Sequence, residues 1–442
     1  MMKLCSVNTE DEVTRLEEIG PLSTPARPSG FDAESLERIV MCAAMFLLSG
    51  AVFPLLHSPG ATLDVTVGGD SVGVAASGIA YVATGLFALQ YGGQILSTIR
   101  QSGWVWLLTG LALASAAWST DRDVSLRSGL ALCATALFGA YFGTRFTPRQ
   151  QVALLSTMFG VTAVLSIAFV LLTDYGILPG AYTGAWRGVF DRKNTLGDMM
   201  ALAFLVFILR SQHLGTWKPL AWLFAALALA LVVLSQSMGG LVLGGFVLLF
   251  VAAIPMVRRR TIPAWLLLCV GFFVVAGIAA LLWWRGGEVL TVLGRDPTLT
   301  GRTLIWALVL TKISVHPILG YGVNAFWRGR SADYVDIWRA VGWPTPHSHN
   351  GFLDLALDLG AVGIGVFLVC YFQAVVRGLR FLRNGTGIEG SSWPLAYLVF
   401  FLLVNLTEVR LLRNNSLFWI LFISTASTVA RGHAQDARGP NV

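Results

Sequence analysis

Charge is scarce in this sequence. Only 12% of its 442 residues are Asp, Glu, Lys or Arg, while 55% are hydrophobic and mean hydropathy is +0.69. Soluble domains carry about 25% charged residues, so the shortfall excludes a soluble enzyme with a single anchor. It reads instead as an all-α, polytopic membrane protein. Cysteine is thin as well. The five present (Cys5, Cys42, Cys133, Cys269 and Cys370) are scattered, four of them in apolar runs, and no Cys-x-x-Cys pair occurs. Neither a disulfide framework nor a zinc site is supported. A basic n-region of the secretory kind is also missing. Residues 1–35 carry Glu10, Asp11, Glu12, Glu17, Glu18, Asp32 and Glu34, and they read as a disordered acidic cytoplasmic tail. The net charge of +7 comes largely from short loops, so it bears on topology and not on nucleic acid.

What is abundant is long apolar sequence. A helix needs about 20 apolar residues to cross a bilayer core. Runs of that kind give about twelve spans, at 36–56, 72–96, 104–118, 124–143, 152–173, 195–210, 217–234, 239–257, 262–284, 351–376, 393–409 and 417–429. An even count puts both termini on one side. Arg145 with Arg149, Arg210 with Lys218, Arg258 to Arg260, and Arg377, Arg380 and Arg383 fall in alternate short connections. By the positive-inside rule that side is cytoplasmic. The expected plan is a tail at 1–35, a transmembrane domain at 36–430 and a cytoplasmic C-terminal tail at 431–442. A long, mostly helical outer loop at 285–350 joins spans nine and ten.

Two outer loops concentrate the polar chemistry. The first holds Arg187, Arg192 and Lys193 just before Asn194, which suits a helix N-cap. A helix start there would add its N–H groups and dipole to the three cations and attract an anion. The second holds Arg295, Arg302, His316, His347 and His349 and then enters an apolar helix. Clustered cations and histidines suggest a phosphate-bearing substrate and a proton transfer. Imidazole suits the proton transfer because it titrates near neutrality. Guanidinium suits the phosphate because it binds oxygens bidentately and stays charged. Asn350, Asp354 and Asp358 recur every four residues and so share a helix face. Asp121-Arg122-Asp123 has an Asp-x-Asp form, but in a short outer turn it reads as turn and cap chemistry. A two-histidine metal site finds no further ligands at suitable spacing, so no metal is assigned.

These pieces resemble the O-antigen ligase and polymerase superfamily of bacterial inner-membrane glycosyltransferases, and within it most of all the exopolysaccharide-polymerase branch. The resemblance rests on Ala117-Trp118-Ser119 with Ser125-Leu126-Arg127, on Arg187-Gly188-Val189-Phe190 with Lys193-Asn194-Thr195-Leu196-Gly197, and on Leu234-Ser235-Gln236-Ser237. It continues through Gly294-Arg295-Asp296, Thr298-Leu299-Thr300-Gly301-Arg302, Leu319-Gly320-Tyr321-Gly322 with Phe326-Trp327, and His349-Asn350-Gly351-Phe352-Leu353 to Asn405-Leu406-Thr407-Glu408. It runs in order from about Trp104 to Phe422 and leaves out the acidic tail.

The resemblance implies transfer of a glycan from a polyprenyl-pyrophosphate donor on the outer leaflet to a sugar hydroxyl, without a cofactor. The acceptor would be another lipid-linked repeat unit for a polymerase, or lipid A-core for a ligase. On this reading His349 is the catalytic base, and Arg302 and Arg187 clamp the pyrophosphate. Lys193, Arg295, Asn350, Asp354, Glu408 and His347 bind substrate or support those three, Glu408 as the partner of an arginine. A chain-length regulator and export machinery are candidate partners beside the lipid bilayer. The rival from another class is a lipid-linked oligosaccharide flippase, which should carry midplane charges and broken helices.

Overall fold

The computed structural model describes residues 32–51, 71–179, 184–212, 215–258, 302–329, 333–384 and 388–438. The expected span at 262–284 and the candidate Arg295 lie outside the described residues. The rest is an all-α bundle. We number the longer helices α1 (Ala33–Leu48), α2 (Ser71–Ala88), α3 (Gly92–Gln101), α4 (Gly103–Ala114), α5 (Arg122–Arg145), α6 (Pro148–Leu172), α7 (Lys193–Ser211), α8 (Lys218–Leu234) and α9 (Met238–Arg258). Beyond them come α10 (Arg302–Ile313), the short α11 (Ala325–Arg328) and α12 (Val335–Val341), then α13 (Gly351–Asn384), α14 (Ile388–Thr407) and α15 (Leu417–Arg438).

Eight described helices are long and apolar enough to cross a membrane. Three more expected spans coincide with helices that fall short by that measure. The helices α1 and α4 are too brief, and α15 is diluted by Ser424, Thr425, Ser427, Thr428 and Arg431. Local chemistry sets several ends. Asp121 accepts the Val124 N–H at the start of α5, and Thr147 with Gln150 closes a capping box around Pro148 at the start of α6,.

The helix α7 is the axis of the bundle. From Leu196 to Leu209 every residue is buried, as expected of a helix that is apolar on all sides and enclosed by neighbours. Outer helices behave oppositely. Leu172 is 80% exposed and Leu249 is 68% exposed, and both suit a lipid-facing surface. The helices α5 and α15 approach backbone to backbone. A Cβ on Gly143 would lie 2.4 Å from the Ser424 carbonyl oxygen and one on Gly139 would lie 2.8 Å from that of Ile420. Small residues four apart allow such close helix contact where apolar lipid offers no hydrophobic gain.

The expected tenth span, 351–376, is not one continuous helix. The chain breaks at Gly360 (φ 61°, ψ −158°) and continues to Asn384. The segment from Pro317 to Gly322 is threaded into the gap. Tyr321 and Gly322 donate to the carbonyls of Leu357 and Asp358, and Ala361 and Val362 donate to those of Pro317 and Ile318. Two carbonyls before the break and two N–H groups after it are thus satisfied by one loop,. A Cβ at Gly360 would sit 2.3 Å from the Ile318 carbonyl, so glycine is needed for space as well as for φ. The span itself is present, but hydropathy reports apolarity and not backbone continuity, so the break was not legible in it.

Candidate functional site

The site forms where the start of α13 meets the end of α14. A Cβ on Gly351 would fall 2.2 Å from Asn405 Oδ1, so only glycine lets the two ends come this close. Asn350 caps α13 by accepting the N–H groups of Phe352 and Leu353 at 3.0 and 3.3 Å. At the other end Asn405 Oδ1 accepts the Arg410 and Leu411 N–H groups at 2.9 and 2.7 Å. This juxtaposition sets His349 beside Glu408, 59 residues on in the chain.

The turn carrying the histidines is pinned on several sides. Ser348 donates its N–H to Asp354 Oδ1 at 3.0 Å, and its carbonyl accepts the Trp306 indole N–H at 2.9 Å. Thr345 holds the His347 carbonyl at 2.7 Å and is itself held by the Trp338 indole. His349 adopts a left-handed backbone, φ 57°, a conformation uncommon for residues other than glycine. Its N–H donates to His347 Nδ1 at 3.2 Å. That bond leaves the proton of neutral His347 on Nε2, 4.0 Å from Glu408 Oε2. The two imidazoles meet edge to face at 4.3 Å, and the indole of Trp343, 38% exposed, lies 6.0 Å from His349.

Glu408 is the hub. Its Oε1 accepts from Arg302 Nη2 at 2.9 Å and from the Asn194 amide at 2.9 Å, and His349 Nδ1 lies 3.3 Å from Oε2. Arg302 also donates to the Thr407 carbonyl at 2.6 Å. Burial opposes charge on Glu408, but the His349 hydrogen bond, the two neighbouring imidazoles and the Arg302 charge outweigh it and hold the carboxyl well below its usual range,. Burial, followed by repulsion from His349, drives His347 well below the normal imidazole range. His347 is therefore neutral at pH 7.

Two further ion pairs brace the cluster. Arg413 bridges Asn324 and Asp354, while Trp327 donates to the same Asp354 at 3.2 Å. Asp198, fully buried in α7, accepts from Arg410 at 2.7 Å. Asp358 accepts the Asn324 N–H at 2.9 Å. His347, His349 and Glu408 offer ligand atoms within 4.8 Å of one another and are the group that could close on a cation among the described residues. The carboxylate is already neutralised by Arg302 and bonded by the Asn194 amide, so a cation would have to displace both donors or share them.

Of the residues singled out in the sequence, His349, His347, Arg302, Asn350, Asp354 and Glu408 come together. Lys193 opens α7 next to Asn194. Asn194 is not the helix cap. The helix begins at Lys193, with Arg192 at the cap position and no side-chain cap, and the Asn194 amide turns to Glu408. Arg187 lies apart from the histidines, with no described contact to them. Its Nε donates to the Tyr175 carbonyl at 2.6 Å and its guanidinium covers the Tyr175 ring at 3.7 Å. Arg192 pairs with Asp191 at 3.4 Å. Sequence reasoning missed the Asp198–Arg410 pair. An acid inside an apolar run was the available signal.

Comparison with known proteins places this geometry in context. Residues 223–368 match the family model described as O-antigen ligase. The exopolysaccharide production protein ExoQ of Rhizobium meliloti is 25% identical over 308 residues, covering 66% of this chain and 68% of that one. A Rickettsia felis protein with a provisional polysaccharide-ligase name is 23% identical over 249 residues, covering 54% and 58%. A like-named Rickettsia conorii protein is 32% identical over 95 residues, covering 21% and 23%.

Proposed function

From its similarity to the O-antigen ligase family model and to ExoQ, we propose that this protein belongs to the O-antigen ligase/polymerase family of membrane glycan enzymes and is an inner-membrane polysaccharide polymerase. It joins polyprenyl-pyrophosphate-linked repeat units into exopolysaccharide at the periplasmic face. The observation that carries this reading is the His349–Glu408–Arg302 cluster. A base, the carboxylate that orients it and a cation meet there on one end of the bundle, beside an exposed tryptophan.

Each part has a role. With Nδ1 turned to Glu408, His349 presents Nε2 to the acceptor hydroxyl and takes its proton as the oxygen attacks the anomeric carbon. The new C–O bond forms as the bond to the pyrophosphate oxygen breaks, and the configuration inverts. Charge then grows on the departing polyprenyl pyrophosphate. Arg302 uses two of its five N–H donors on Thr407 and Glu408 and keeps three for phosphate oxygens,. Arg187, anchored through Nε on Tyr175, keeps both terminal nitrogens for the same leaving group, with Lys193 and the start of α7 completing the anion site. The amphiphilic donor enters sideways between helices, so its prenyl tail stays in lipid. The family name alone favours a ligase acting on lipid A-core. ExoQ, which the chain matches over more of its length, is an exopolysaccharide production protein, and this favours polymerisation. The broken α13 is a feature that flippases share. Here the break is sealed by four backbone hydrogen bonds, which argues against a transport gate.

The test is made in the native host, with the gene deleted and then complemented by wild type or His349→Ala. The polysaccharide is sized and the lipid-linked pool is read by mass spectrometry. Single repeat units accumulating on the carrier, with polymer lost, support a polymerase. Full-length glycan stranded on the carrier supports a ligase. An unchanged pool in both strains rejects glycosyl transfer.

A further inference from the structure

At the other end of α13 lies a groove that the proposed reaction does not use. Two adjoining hollows of about 550 and 390 Å³ share Gln373 and Arg377. One wall is apolar and faces outward. Phe372 is 69% exposed and Leu368 is 52% exposed. The polar floor is made by Arg100, Arg377 and Arg380, with Trp104 at the rim. Arg377 is fixed by its bond to the Gln101 carbonyl at 3.0 Å. Among the described residues none of the three arginines has an acidic partner. Arg377 and Arg380 lie on the order of 25–30 Å along α13 from Gly360, at 1.5 Å per residue,. By the charge rule this is the cytoplasmic end.

We infer that this groove holds an anionic phospholipid of the surrounding bilayer. The phosphate sits on Arg377 and Arg380, with Arg100 closing from α3, and an acyl chain lies along Leu368, Val369 and Phe372. The observations fit that occupant in three ways. Guanidinium groups clustered without carboxylates match a phosphate in charge. Lipid-exposed apolar side chains continue directly from them, as a headgroup continues into its tail. A tryptophan marks the depth at which headgroups lie. Basic pockets between helices on this side of a membrane have the general character of anionic-lipid sites. The inference does not depend on the reaction proposed above.

The experiment uses the full-length protein in bilayer discs of phosphatidylglycerol and phosphatidylcholine mixed equally, with retained lipid counted by native mass spectrometry. Wild type should retain phosphatidylglycerol at least fivefold over phosphatidylcholine. Arg377→Gln with Arg380→Gln should abolish that preference, and Arg380→Gln alone, at an exposed position, should reduce it. Arg383→Gln, outside the groove, should not change it. Equal retention of the two lipids by wild type, or an unchanged preference in both arginine variants, would overturn the inference. So would millimolar inorganic phosphate raising the melting temperature as much as phosphatidylglycerol does, since the site would then be a simple anion site.

Discussion

The two ends of α13 handle charge in opposite ways. At the histidine end three buried carboxylates each face an arginine: Glu408 faces Arg302, Asp354 faces Arg413 and Asp198 faces Arg410. At the arginine end Arg100, Arg377 and Arg380 face a groove with no carboxylate among the described side chains. Inside a bundle an isolated charge is costly, so buried charges come as pairs. Matching at the first end holds the proposed base and its neighbouring cation in place, where small displacements matter. Mismatch at the second end leaves attraction for something outside the protein. The same residue type, arginine, therefore orients a site at one end and invites a ligand at the other.

That contrast can be tested by breaking either side. The largest effect is expected from His349→Ala, which should lower polymer formation by about 10²–10⁴-fold, the usual worth of a general base, with normal insertion and melting temperature. Retention of full activity would remove His349 from the mechanism. Glu408→Ala should be worse for the fold. It strips a carboxylate from Arg302, His349 and Asn194 together, and loss of one partner from a buried pair costs about 3–5 kcal/mol. The readout is the melting temperature in detergent. Arg380→Gln should leave both activity and melting temperature in detergent unchanged, and a loss comparable to that of Glu408→Ala would erase the distinction between the ends. In the packing between them, Gly143→Ala forces α5 away from Ser424 and should cost about 1–3 kcal/mol by overpacking.

The smallest expected effect is a pH dependence of stability. Burial holds folded His347 well below 6.5, the value of a free imidazole. In the unfolded chain it takes up a proton as pH falls through about 6.5, while the folded form stays neutral. Its contribution is complete above that pH and shrinks as pH drops. Glu408, also depressed, adds a second loss only below about 4.5. Melting temperature should therefore fall from pH 7 to pH 5, and His347→Gln should flatten that fall. Equal slopes in the two proteins would show that His347 is not held neutral.

Much of this molecule was determined by sequence alone. Long apolar runs fix where helices cross, because every backbone group in lipid must be bonded internally, and eight such helices are present among the described residues. His349, His347, Arg302 and Glu408 were legible as candidates because charge stands out where so little exists. Tertiary structure decided the rest. Glu408 joins His349 across 59 residues and Arg302 across 106, a distance no local pattern reports. Asn194 had the form of a cap and became a donor to Glu408. Hydropathy read 351–376 as one span, and only the packing of the 317–322 segment against Gly360 explains why the helix stops and restarts. Helical period and apolarity are properties of neighbours in the chain. Pairing, close approach and the sealing of a break are properties of neighbours in space.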